Sequence, residues 1–163
     1  LVGLFILKEE KLHHKRINRG YFGIGVYHPK TEHNIGTLWR SAYQLGAAYV
    51  FTINGRYRRQ ASDTLKTWRH IPLFYYESFE NFQSTRPYDC LLVGIEMDGE
   101  NIVEYSHPER AIYLLGAEDH GLPPSISNMC NQIISLPSIR TNSFNVAIAG
   151  SLVMFDRLTK SGE

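Results

Sequence analysis

Metal-binding patterns are missing from this 163-residue sequence. Its two cysteines, Cys90 and Cys130, stand forty positions apart with no Cys-x-x-Cys pair. The seven histidines are scattered, only His13 and His14 adjoin, and no His-Glu-x-x-His occurs. No metal site is therefore expected. So few cysteines suit a reduced, cytoplasmic protein, and Cys90, which opens an apolar run, reads as a buried small hydrophobe. Long apolar runs are missing too. The N-terminal one, Leu1–Leu7, falls far short of the ~20 residues a bilayer span needs. The acidic Glu9 and Glu10 follow it closely, where a signal peptide would carry small residues and a cleavage site. No membrane association is expected. Phosphate-binding signatures are lacking as well. There is no G-x-x-x-x-G-K-[ST], and Gly20, Gly23 and Gly25 have neither the spacing nor the position of a dinucleotide loop. Net charge is only +1, which excludes a strongly basic nucleic-acid coat and confines any RNA contact to local patches.

What remains has globular composition, 43% hydrophobic and 20% charged, in a length that suits one domain. The expected organisation is an N-terminal extension over 1–20, with residues 1–8 set aside from fold reasoning, and a domain over 21–160. Residues 11–20 are basic, polar and closed by Gly20. They read as a flexible arm, either solvated or touching RNA through Arg16 and Arg19.

Tyr21 to Tyr27 is an aromatic, β-branched and glycine run, expected as the first strand. Asn34 is a plausible helix N-cap. Ile35, Leu38, Ala42 and Leu45 then share one apolar face, and Gly46 is the C-cap candidate. Ala48 to Ile53 and Leu73 to Tyr76 predict further strands, and residues 77–84 are weakly helical. Cys90 to Ile95, Ala111 to Leu115 and the shorter Ile133 to Leu136 lack alternation, so both their faces should be covered, as in central parallel strands. From Asn145 onward the pattern is doubly apolar. Val146, Ala149 and Val153 lie on one side, Ile148, Leu152 and Phe155 on another. One side can meet the sheet, and the other suits a second subunit. The class is α/β, a mostly parallel sheet flanked by helices.

Three segments stand out chemically. Asn34-Ile-Gly36-Thr-Leu-Trp-Arg40 places Asn at a helix start and Arg about two turns on. These positions differ by roughly 120° around the axis, so they share a site only if neighbouring elements converge there. An Asn cap with a surface Arg is the plainer reading. Leu115-Gly116-Ala117-Glu118-Asp119-His120-Gly121-Leu122-Pro123 is an apolar strand end, a glycine-containing acidic loop and a proline at a helix start. Ligands in open α/β sheets bind beyond strand carboxyl ends, and Gly116 would let one approach the backbone. Leu136-Pro137, then Ser143-Phe144-Asn145, lead into the apolar last helix, where capping explains Ser143 or Asn145 singly. A basic-aromatic cluster, Arg56, Tyr57, Arg58 and Arg59, offers phosphate forks and a stacking ring.

In this order, the three segments resemble the three motifs of the SpoU/TrmH branch of the SPOUT methyltransferases. N-x-G-x-x-x-R is matched at Asn34, Gly36 and Arg40. G-x-E-x-x-G-L is matched at Gly116, Glu118, Gly121 and Leu122. Pro followed by S-x-N is matched at Pro137, Ser143 and Asn145. The likeness runs from about Tyr21 to Leu158. It departs at Ala117, where the family often has Ser, Thr or Pro, and at residues 138–142, which lack the frequent Met-x-Gly.

The resemblance implies a C-terminal trefoil knot, a homodimer whose site the partner completes, and S-adenosylmethionine-dependent methylation of a ribose 2′-hydroxyl in RNA. Transfer RNA is preferred over ribosomal RNA. Cofactor contacts would come from Ile95, Gly116, Leu136, Ser143 and Asn145. Arg40 would be catalytic, with Asn34, Glu118, Ser143 and Asn145 orienting it and the ribose, and Arg16, Arg19, Arg56, Arg58 and Arg59 would hold RNA. A guanidinium normally stays charged, its pKa being above about 12. The favoured role for Arg40 is therefore to hold a phosphate and lower the hydroxyl pKa while water accepts the proton. Transient loss of a proton from Arg40 to a phosphate is the alternative. A methylation-incompetent RNA-binding module of the same fold is a competing function. A plain nucleotide-binding or hydrolase domain is disfavoured by the missing phosphate loop and nucleophile elbow.

Overall fold

The computed structural model describes residues 20–57, 66–140 and 144–161. Its strands are β1 (Tyr21–Tyr27), β2 (Tyr49–Ile53), β3 (Leu73–Tyr76), β4 (Leu91–Asn101), β5 (Arg110–Leu115) and β6 (Gln132–Ser135). The helices are α1 (Glu32–Leu45), α2 (Phe79–Thr85), the short α3 (Pro124–Ser127) and α4 (Val146–Lys160), with a 3₁₀ turn at Thr67–Arg69. The strands form one sheet in the order β3-β2-β1-β5-β4-β6, and every ladder is parallel.

The unbroken apolar runs explain which strands lie centrally. Phe22–Val26 and Ala111–Leu115 are buried at every position, because helices cover both sheet faces. On one face Ile24, Val26, Val93, Tyr113 and Leu115 meet Leu38 and Ala42 of α1 and Val153 and Met154 of α4. On the other, Phe51, Ile53, Leu92, Ile112 and Leu114 meet Phe79 and Phe82 of α2 and Ile126 of α3. Gly23 and Gly25 leave room there for rings: a Cβ on Gly23 would stand 2.3 Å from Tyr49, and one on Gly25 2.5 Å from Phe51. Packing accounts for these glycines.

Several boundaries differ from expectation. β2 begins at Tyr49, one residue late, and β4 runs on to Asn101. Ile95 and Glu100 both pair with Ile134, so residues 96–99 form a bulge between two stretches of β4·β6 ladder. Helix α1 starts two residues before Asn34, with Thr31 at the N-cap. Asn34 thus sits inside the first turn, and its side chain is released from capping. Gly46 does end α1, with φ of 85°. Among the described residues, no helix is long and apolar enough to cross a membrane.

Candidate active site at the carboxyl ends of the central strands

Because β1, β4, β5 and β6 run the same way, their carboxyl ends open onto one side of the sheet. There the β4 bulge, the loop after β5 and the loop after β6 surround a cavity of about 600 Å³. Ile95, Leu115, Leu136, Val146 and Ala149 supply its apolar surface, and Glu96, Glu118, His120 and Arg140 its charged or polar surface.

The loop after β5 is built tightly. Gly121 donates its N–H to the Ala117 carbonyl at 3.0 Å, and Ala117 donates back to Gly121 at 3.2 Å. Gly121 is left-handed, with φ of 63°. Glu96, from the bulge, accepts the Leu122 N–H. A Cβ on Gly116 would lie 2.1 Å from the Gly121 carbonyl carbon, so this glycine is required by the returning loop as well as lining the cavity.

At the rim, side chains from all three segments join. Asn34 Nδ2 donates to Glu118 Oε1 at 2.9 Å, and Asn145 Nδ2 donates to Asn34 Oδ1 at 3.0 Å. The Lys30 N–H donates to Glu118 Oε2 at 3.1 Å, and the Thr31 hydroxyl to Oε1 at 3.3 Å. Burial acts to raise the Glu118 pKa, but donors from Asn34, Lys30, Thr31 and its own backbone outweigh it and hold the carboxyl below its ordinary value. A carboxylate before α1 is also favoured by the helix dipole. Lys30 pairs in addition with Asp119. Asn145 serves twice, since its Oδ1 also caps α4 by accepting from Ala147 N at 2.9 Å and Ile148 N at 3.4 Å. Capping and site-building are thus the same contact set. The asparagines meet because α1 and α4 pack closely: a Cβ on Gly150 would fall 2.4 Å from Leu38 Cδ1.

Of the expected site residues, Asn34, Glu118 and Asn145 form this relay, while Ile95, Gly116 and Leu136 line the cavity. Arg40 is exposed and is not among the lining residues. At six residues beyond Asn34 it lies roughly 120° around α1, so one chain does not bring it to the relay. Arg56 lies over the Tyr75 ring at 5.1 Å. Arg16, Arg19, Arg58, Arg59 and Ser143 lie outside the described residues. Sequence reading missed Lys30, Thr31 and Glu96. Thr31 alone carried a signal, as a good N-cap residue three before Asn34. Among the described residues, no group of three His, Cys, Asp or Glu is placed to hold a metal ion.

The cavity fits the donor that the sequence suggests. Its volume lies within the ~300–1,000 Å³ of small-molecule sites, and it combines apolar walls with charged edges, as an adenosine bearing an amino-acid arm requires.

A profile of the SpoU rRNA methylase family matches residues 22–155. An Archaeoglobus fulgidus protein named as an uncharacterized tRNA/rRNA methyltransferase is 23% identical over 147 residues, 86% of this chain and 66% of that protein. A Synechocystis protein named as a putative tRNA (cytidine(34)-2′-O)-methyltransferase is 24% identical over 141 residues, 80% of this chain and 91% of that one. Among solved structures, an AdoMet-bound rRNA methyltransferase from Sinorhizobium meliloti superposes with a TM-score of 0.75 at 21% identity. It covers 86% of this chain, which spans 56% of that one.

Proposed function

The chain belongs to the SpoU rRNA methylase family, and we propose that it transfers a methyl group from S-adenosylmethionine to a ribose 2′-hydroxyl of RNA, with transfer RNA as substrate. The observation that carries this reading is the hydrogen-bonded line Glu118–Asn34–Asn145 at the rim of the cavity. It joins residues 111 positions apart in sequence beside a volume that suits the donor. The name and near-full coverage of the Synechocystis relative favour transfer RNA over ribosomal RNA, and the compartment we infer is the cytoplasm.

When bound, the donor supplies an electrophilic methyl group on a sulfonium, and the protein's task is positioning. Ile95, Leu115 and Leu136 would hold the apolar ring, and the backbone of residues 116–121 its polar edges. Ser143, expected beside Asn145, would add a hydroxyl. Glu118 fixes the Asn34 amide, which in turn orients Asn145, leaving a rigid polar edge against which the ribose can be held. Arg40 binds the adjoining phosphate as a cation, lowers the pKa of the 2′-hydroxyl and leaves its proton to water.

We further infer a homodimer in which Arg40 comes from a second copy. Ile148, Leu152 and Phe155, spaced i, i+4 and i+7 on α4, are 53%, 39% and 56% exposed, an apolar stripe that a second copy would cover. Threading of the chain end through a knot belongs to the same reading. The strand order, with β5 between β1 and β4 and β6 beyond β4, supports it.

Calorimetric titration with S-adenosylmethionine, followed by transfer of labelled methyl to transfer RNA, tests the proposal. Saturable donor binding with RNA-dependent transfer is expected. Donor binding without transfer to any RNA would favour the methylation-incompetent module instead.

A further inference from the structure

We propose that the flank of α1 turned toward β3 is a binding strip for single-stranded RNA, which leads the substrate to Arg40. This rests on the methyltransferase reading above and adds the substrate's path and form.

Four observations carry it. Gly36, Arg40 and Tyr43 follow at i, i+4 and i+7 and so share one flank of α1. Against that flank lie residues from the β2 and β3 side. A Cβ on Gly36 would meet the Tyr57 hydroxyl at 3.3 Å. Trp39 stands edge-on to Tyr57 at 5.8 Å and donates to the Ile71 carbonyl at 3.2 Å, which pins the 3₁₀ segment to the helix. Tyr43 stacks on His70 with centroids 4.6 Å apart and planes 17° from parallel.

Second, guanidinium groups already lie on exposed rings here: Arg69 over Trp68 at 5.0 Å and Arg56 over Tyr75 at 5.1 Å. Such pairs occur about once per 70–80 residues in proteins generally, so two between positions 56 and 75 are a concentration. Third, the rings are accessible: Tyr43, Trp68 and Tyr75 are 38%, 40% and 38% exposed. Fourth, cations outnumber acids. Residues 32–57 and 66–77 contain Arg40, Arg56, Lys66 and Arg69 against Glu32 and Glu77, which stand at the two ends of the strip, in a chain of net charge +1.

Isolated surface aromatics are ordinary. Aromatic faces interleaved with arginines meet a ligand with flat rings and a phosphate on each. Duplex RNA presents its phosphates but keeps its bases stacked inside, so these rings would find no partner on it. Single-stranded RNA offers both, and stacking on aromatic side chains tolerates any base.

The test uses the full chain, a labelled mixed-sequence 20-nucleotide single-stranded RNA, the same RNA annealed to its complement, and transfer RNA as methyl acceptor. In Tyr43→Ala/Trp68→Ala/Tyr75→Ala, affinity for the single strand should fall about tenfold or more, with a matching rise in the KM for transfer RNA, while S-adenosylmethionine affinity is kept. Tyr43→Phe/Tyr75→Phe should retain the single-strand affinity. If the triple variant proves unfolded, Arg56→Gln/Arg69→Gln, altering two exposed side chains, should show the same loss and a shallower salt dependence. Unchanged single-strand binding in a variant that still binds the donor would overturn the proposal. Equal losses on single and double strands in the triple alanine variant would also overturn it, since the rings would then make no distinction between them. A wild-type chain with no methyl transfer but strip-dependent RNA binding would refute the methyltransferase reading and leave the strip standing.

Discussion

Asn145 donates its side-chain amide to Asn34 Oδ1 at 3.0 Å across the contact between α1 and α4. Asn34 in turn donates to Glu118, so this one residue couples the other two. Removing it should therefore cost more than either bond. Asn34→Ala takes one of its donors from Glu118 and the acceptor from the Asn145 amide, and turnover should fall about a hundredfold, as misplacement of positioning groups typically causes. Because the group is partly exposed, stability should change by only about 1 kcal/mol. Steady-state methyl transfer with parallel thermal unfolding checks both. Asn34→Asp should be worse for activity, because it sets a second carboxylate against Glu118.

The Glu118 carboxyl has its pKa lowered in the folded state, since its four donors outweigh burial. It therefore contributes stability that is fully present above the unfolded value of about 4.5 and is lost as pH falls through the lower folded value. Comparing thermal unfolding of wild type and Glu118→Gln from pH 7 to pH 3 should show wild type ahead at neutral pH and the gap closing only below about 4.5. A gap that stays constant down to pH 3 would mean that Glu118 is not held by these donors.

Gly116→Ala places a Cβ 2.1 Å from the Gly121 carbonyl carbon, against backbone that cannot swing aside as a side chain could. The returning loop must shift, at a cost of about 1–3 kcal/mol. Donor affinity measured by calorimetry should drop at least about tenfold, because the displaced loop lines the cavity. Affinity equal to wild type would remove Gly116 from the site.

Much of this site is legible in the sequence, and the parts that are not have physical reasons. The apolar runs at Ala111–Leu115 and Cys90–Ile95 marked central parallel strands because a strand covered on both faces needs no polar alternation. Asn34 reads as a cap because capping preference is a local signal, and Thr31, three residues earlier, carries the same kind of signal. The Thr31 hydroxyl then goes to Glu118 rather than to its own helix, a long-range contact that local pattern does not report. The β4 extension is hidden because Glu96, Asp98 and Gly99 interrupt the apolar run where the strand bulges. Sequence reading gave Arg157 no role, yet it is 6% exposed, donating to the Pro108 and Glu109 carbonyls at 2.6 and 2.8 Å and lying over Phe22. Burial of a charge depends on partners that only the fold assembles.

Leu152→Lys/Phe155→Lys alters two exposed positions of the α4 stripe and should leave the monomer fold intact. If the proposed dimer forms, sedimentation should find wild type dimeric and the variant monomeric, and methyl transfer should fall by at least about a hundredfold, because on that reading Arg40 of one copy then has no site in the other. A mixture of this variant with wild type should not regain activity beyond the wild-type share.

The ribose hydroxyl as acceptor can be tested through the chemistry of RNA itself. After reaction with transfer RNA and methyl-labelled donor, the product is hydrolysed in alkali, which needs a free 2′-hydroxyl to cleave each linkage. Label recovered in alkali-resistant dinucleotides, and lost with Asn34→Ala, is the expected result. Label recovered in mononucleotides, on the bases, would contradict ribose methylation.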